Sequence, residues 1–169
     1  SVAAALKRKG LFNRRGGLKR GALPPGLISS NGEGIVLASG QESATGTPLV
    51  LTWRDLGEEL VIARAAIRSG IEILLTEAGL KEADLTRISI AGAFGNFLDI
   101  DDALTIGLLP AVSPERVKGV GNSAGLGAVK MLLDLDQRRR VRCLARQVTH
   151  VELSGYPDFN RIFSHHVRG

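Results

Sequence analysis

The sequence predicts an α/β fold, a small sheet flanked by helices, and three observations carry that expectation. A strand, a Gly-rich turn and a helix follow one another twice, first from Arg87 and again from Val117, the order that sets neighbouring strands parallel. One long amphipathic pattern runs from Thr52 to Gly79 and supplies a helix to cover such a sheet. With 44% apolar, 23% charged and 4% aromatic residues among 169, the core has to be built from Ala, Leu, Ile and Val.

In chain order, residues 2–9 read as a short helix stopped by Gly10, and residues 10–34 as an irregular Gly-, Pro- and Arg-rich connection. Seven Lys or Arg and no acid fall within residues 1–30, so the net charge of +5 is a local basic segment, the rest holding 15 basic and 17 acidic residues. With Phe12 as its single aromatic and none interleaved among the basic residues as a stacking series, that segment reads as a solvated loop, a docking patch or one wall of a phosphate site; no nucleic-acid partner is expected. Residues 34–38 and 48–51 are β-prone and form a hairpin across a Ser/Thr/Gly-containing loop. Thr52 caps the long helix, with Asp55, Glu58 and Glu59 in its first turns. Its apolar stripe is Leu56, Leu60, Ala63, Ile67, Ile71, Leu74 and Ala78, at steps of four and three.

Strands follow at 87–91 and 117–121, each leading through a small-residue turn into a helix, at 101–107 and 124–133. Residues 134–146 continue helically, 148–153 form a strand, and 157–166 a last helix with Pro157 near its first position. Cys143 stands alone in an apolar and basic stretch, so no intrachain disulfide or thiolate metal site can form, and it reads as a small buried hydrophobe. No apolar run reaches the roughly 20 residues of a membrane span, and there is no leader pattern; a cytoplasmic protein without a membrane partner is expected. The chain enters a helical pattern directly at Ser1 without Met, as expected of a piece of a larger protein.

Ligands of open α/β sheets sit beyond the C-terminal ends of the strands. The turn Ala91-Gly92-Ala93-Phe94-Gly95-Asn96 offers small residues for close backbone approach and an amide that donates and accepts. In Gly121-Asn122-Ser123-Ala124-Gly125, Asn122 and Ser123 open a helix whose free N–H groups suit phosphate or ribose oxygens. Tight helix–sheet packing accounts for such turns equally well, and neither a Walker A sequence nor a dinucleotide fingerprint is present.

The string Ile90-Ala91-Gly92-Ala93-Phe94-Gly95-Asn96-Phe97-Leu98-Asp99, then Ile106-Gly107-Leu108-Leu109-Pro110, then Val120-Gly121-Asn122-Ser123-Ala124-Gly125-Leu126-Gly127-Ala128, resembles the reductive activators of corrinoid proteins. Glu42-Ser43-Ala44-Thr45-Gly46, Val151-Glu152-Leu153 and Pro157-Asp158-Phe159 extend the resemblance. It implies the C-terminal half of an actin-like, ribonuclease H-like ATPase domain of the ASKHA (acetate and sugar kinase, Hsp70, actin) superfamily, with residues 1–34 as a basic helix and connection and 35–169 as the α/β domain. It further implies ATP with Mg²⁺, a [2Fe–2S] cluster held only by a ferredoxin-like N-terminal domain, and a corrinoid protein of a methyltransferase system as partner. A homodimer is a further expectation.

The adenosine-facing residues would be Gly92, Ala93, Gly95 and Asn96, joined by Gly121, Asn122, Ser123 and Gly125. The superfamily's first phosphate motif and the cluster cysteines are absent from this chain, and Trp53 stands where similar sequences more often have Gln. Half a nucleotide site, inactive by itself, is therefore expected. A non-catalytic docking module for the corrinoid protein is the alternative, and part of a superfamily kinase a further one. Asp99, Asp101 and Asp102 read as helix-capping carboxylates rather than metal ligands. Arg138, Arg139, Arg140 and Arg142 read as a solvated helix face, and the histidines as structural.

Overall fold

A computed structural model describes residues 1–12, 18–92 and 97–168. Helix α1 (Val2–Arg8) buries Ala3, Ala4 and Leu6, and Gly10 leaves it with φ 68°. Ala3 and Leu6 form one core with Leu23, Ile35 and Leu56, so the basic segment is anchored by an apolar residue at its middle. The segment also gains order from two single 3₁₀ turns, Arg20–Ala22 and Pro25–Leu27. Arg20 lies over the Trp53 ring at 5.0 Å, a cation–π contact, and the indole N–H donates to the Gly32 carbonyl at 2.6 Å.

Strands β1 (Gly34–Ala38) and β2 (Leu49–Thr52) pair antiparallel with Gly34 opposite Thr52, the expected hairpin. At the end of β2 the Asp55 N–H donates to Thr52 Oγ1 at 3.1 Å, while the Asp55 carboxylate accepts from the Thr52 N–H at 3.0 Å. These reciprocal bonds start a helix by satisfying its orphan donors, and the Thr52 hydroxyl, donating to the same carboxylate at 2.7 Å, together with the Thr52 N–H holds the Asp55 carboxyl below the usual carboxylate range. One π-turn, Asp55–Glu59, precedes α2 (Leu60–Glu77), and Gly79 closes it with φ 67°.

The long helix is present, and the predicted stripe is buried only at its start: Leu56 is in the core and Leu60 and Ile71 are half-buried, while the rest of the buried face lies elsewhere. Ala65, Ser69, Gly70 and Ile73 are buried, whereas Ala63, Ile67, Leu74 and Ala78 are exposed. Helix α6 (Phe159–Arg168) packs along α2 and decides the outcome. Ile162 is its buried anchor. The turn that leads into α6 also lies close on α2, where a Cβ on Gly70 would stand 3.3 Å from Leu153. Polar bridges reinforce the contact: Arg64 Nη2 donates to the His166 carbonyl at 2.8 Å, His166 Nε2 meets Glu72 at 2.7 Å, and the Tyr156 hydroxyl donates to Glu77 at 3.0 Å. The last helix starts at Phe159, after Pro157 rather than around it.

Strands β3 (Ile88–Ala91) and β4 (Val117–Gly121) pair in parallel, as the repeated strand–turn–helix order requires. Between them lies α3 (Ile100–Ile106), capped by Asp99, which accepts from the Asp102 N–H at 2.7 Å, and closed by Gly107 at φ 76°. Asp102 is itself buried and accepts from Arg8 Nη2 at 2.5 Å, which ties α3 to α1.

Helix α4 (Ser123–Leu133) follows β4, and the predicted continuation is a separate helix, α5 (Leu135–Ala145). The break falls at Asp134, whose extended backbone (φ −135°, ψ 115°) lets its carboxylate accept from the Asp136 and Gln137 N–H groups. Capping thus favours a turn over a continued helix. Cys143 is exposed, contrary to the sequence reading, because α5 buries no residue.

Residues 148–153 are not a strand. Their alternation is β-like, but no partner edge reaches them among the described residues. Glu152 instead accepts from the Ser154 N–H and hydroxyl in a tight turn. No described helix is long and apolar enough to cross a membrane.

Candidate nucleotide-facing site

The parallel pair brings the two Gly-rich turns together at its C-terminal end. The register shifts between Ile90 and Ala91, so that Ile90 faces Gly119 and Ala91 faces Gly121. Just past the shift, the Gly92 N–H donates to the Gly121 carbonyl at 2.8 Å. Gly92 has φ 84° and Gly121 φ 64°, a left-handed conformation costly for any residue with a Cβ. Among the described residues, nothing lies within 4 Å of where a Cβ on Gly92 would stand, so on their side the missing side chain leaves open space for a flat group to approach. Ala93, Gly95 and Asn96 lie outside the described residues.

In the second turn Asn122 is the N-cap of α4, its Oδ1 accepting from the Gly125 N–H at 2.9 Å. That bond explains Gly125, where a Cβ would come 2.6 Å from Asn122 Nδ2. Asn122 and Ser123 are exposed and Gly125 is half-buried. Ser123 and Ala124 are the first helical residues, so their N–H groups have no intrahelical acceptor. They and the exposed Asn122 side chain form a donor-rich rim where the helix dipole favours negative charge. Open space over Gly92 and donors at α4 fit an adenine or ribose on one side and phosphate oxygens on the other.

Phe97, just beyond the first turn, is 88% exposed, an apolar ring held in water on the approach to the site. Its signal is an aromatic directly after the Asn of a Gly-rich turn.

The other constellations resolve as structural. Asp99 caps a helix and Asp102 pairs with Arg8, and no described group of three or more His, Cys, Asp or Glu could hold a metal ion. His166 braces α6 on α2, while His150 sits beside Glu152 in the solvent-exposed turn.

A family model described as the C-terminal domain of RACo, the ASKHA domain, matches residues 1–168. The corrinoid activation enzyme RamQ of Eubacterium limosum is 35% identical over 164 residues, covering 92% of this chain and 28% of that protein. The [Co(II) methylated amine-specific corrinoid protein] reductase of Methanosarcina barkeri is 28% identical over 120 residues, 70% of this chain and 22% of the relative. A solved reductive activator for corrinoid, iron-sulfur protein superposes with a TM-score of 0.81 at 36% identity, over 96% of this chain and 26% of that one. The chain thus spans about a quarter of the length of the proteins it matches. It belongs to the family of C-terminal ASKHA domains of reductive activators of corrinoid proteins.

Proposed function

We propose that this chain is the C-terminal, nucleotide-binding portion of an ATP-dependent reductive activator of corrinoid proteins. The observation that carries the reading is the bridge between Gly92 and Gly121, which sets two left-handed glycines side by side at the C-terminal end of a parallel pair. Gly92 opens the wall on which an adenosine would lie. Asn122 holds the start of α4 in shape, and the Ser123 and Ala124 N–H groups face its oxygens. Asn96 would donate to the base or ribose from the first turn. Bound ATP with Mg²⁺ would supply the free energy for passing an electron uphill onto a corrinoid cobalt.

Cys143, the single cysteine, cannot hold an iron–sulfur cluster. A [2Fe–2S] group would therefore belong to another part of the full-length activator. A corrinoid protein of a methyltransferase system is the partner, a homodimer the working assembly and the cytoplasm the location in this reading.

The test is ATP affinity of the full-length protein carrying Gly92→Val or Asn96→Ala. Valine at φ 84° strains the backbone by about 1–3 kcal/mol and fills the open wall, so ATP binding should weaken about tenfold or more. Unchanged affinity in both variants would sink the assignment.

A further inference from the structure

Beyond the first turn of α4, the arm formed by α4 and α5 has no role in the nucleotide reading, yet its surface is far from featureless. Neither helix buries a residue. Val141 and Leu144 are 40% and 60% exposed, and Leu132, Leu133 and Leu135 at the bend are 71%, 80% and 67% exposed. Val141 and Leu144 share one face of α5, since residues three apart lie one above the other. Helical spacing sets Arg138 and Arg142 along one flank of that face and Arg140 along the other.

The charge on the arm is concentrated and mostly uncommitted. Residues 135–146 hold five arginines, no lysine and one acid, whereas residues 31–133 hold eight Lys or Arg against thirteen Asp or Glu. Arg138 is spent on the bend, donating to the Met131 and Leu132 carbonyls, which fixes α5 against the end of α4. Arg139 reaches Asp136 at 3.5 Å with both groups exposed, a contact of little energetic weight. Arg140, Arg142 and Arg146 have no ion-pair partner among the described residues.

The chemistry of the occupant follows. Guanidinium forks pair with carboxylates bidentately, and exclusive use of Arg over Lys favours that geometry. An apolar centre edged by arginine is the composition of a protein interface. Residues 123–146 contain no aromatic, so the arm has neither the stacking platforms of a nucleic-acid surface nor the Trp and Phe of a helix lying in a membrane interface. We propose that the α4–α5 arm docks an acidic surface of the corrinoid protein, with Val141 and Leu144 at the centre and Arg140 and Arg142 at the rim. The proposal rests on the functional reading above. An 11-residue helix is about 16 Å long and suits a small, transient interface, as an activator that must release its partner needs.

The experiment uses the full-length protein and a purified corrinoid protein as probe. The Kd for the complex and the Kd for ATP alone are measured for wild type, for Arg140→Glu with Arg142→Glu, and for Arg140→Lys with Arg142→Lys. Charge reversal should weaken the complex about 10- to 100-fold and flatten its salt dependence, leaving ATP affinity and the thermal midpoint unchanged. The lysine pair should lose only a few-fold, because charge remains while the fork is gone. A charge-reversed protein that binds the corrinoid protein like wild type overturns the docking site and leaves the functional reading standing. A reversal that changes the sedimentation mass or the thermal midpoint also overturns it, because the face is then covered by a second copy or by the same polypeptide. Wild type with no affinity for the corrinoid protein overturns the functional reading and the docking site together.

Discussion

Asn122 and Gly125 form the smallest unit on which the candidate site depends. The Asn122 carboxamide accepts from the Gly125 N–H at 2.9 Å, and a methyl group on Gly125 would stand 2.6 Å from the same amide. Losing such a cap costs about 0.5–2 kcal/mol, while replacing a helical Gly with Ala gains about 0.8–1.0 kcal/mol in propensity. The two substitutions should therefore couple with a change of sign. Gly125→Ala should be neutral or destabilising in the wild-type chain, where it displaces the cap. In an Asn122→Ala background it should stabilise by about 0.5–1 kcal/mol, since no cap is left to displace. Urea unfolding of the four proteins measures this, and additive effects would show that the cap is not formed. The sequence made Gly92, Gly121, Asn122, Ser123 and Gly125 legible as a candidate site because two Gly-rich turns ended successive strands, and the structure sets those turns side by side. It did not reveal that Asn122 is engaged as a cap, because a capping Asn and a ligand-binding Asn occupy the same position before a helix.

At the scale of elements, α2 was legible and its orientation was not. A helix with Leu60, Ala63, Ile67, Ile71, Leu74 and Ala78 on one side announces its period. The face beside it carries Ala65, Ser69 and Ile73 with Arg68 and Glu72 nearby, too mixed to register as a core face. Packing selects it nonetheless, because small residues let α6 approach closely and the charges find partners: Arg68 meets Glu82, and Glu72 meets His166. The strand expected at 148–153 failed for a related reason, since alternation describes a strand but only a neighbouring edge makes one. If α6 is a load on α2, truncating its anchor should be far more costly than truncating a larger-looking apolar residue on the arm. Ile162→Ala, at 5% exposure, should destabilise the chain by about 2–5 kcal/mol. Leu133→Ala, at 80% exposure, should stay within about 0.5 kcal/mol. Thermal or urea unfolding of the two variants decides; equal effects would mean that α6 does not dock as described.

At the scale of the whole molecule, apolar surface is distributed over more faces than the described residues cover. Two two-stranded sheets leave strand edges open, and the α2 stripe exposes Ile67 at 46% and Leu74 at 53%. A helix that is buried on one side and apolar on the other suits a layer between two others. The proteins this chain matches are more than three times its length, so in such a protein there is chain enough to form a second layer. The 169-residue polypeptide by itself should then behave as a folded body with an adhesive face. It should bind a hydrophobic dye and associate as its concentration rises, because apolar patches of this kind mark contact surfaces. Ile67→Lys with Leu74→Lys should reduce both effects while leaving the unfolding midpoint nearly unchanged, as both side chains are exposed. Sedimentation over a concentration series, with dye fluorescence alongside, reads the outcome. If the double variant unfolds instead, the stripe is part of the core of this chain and the assignment of the α2 faces is reversed.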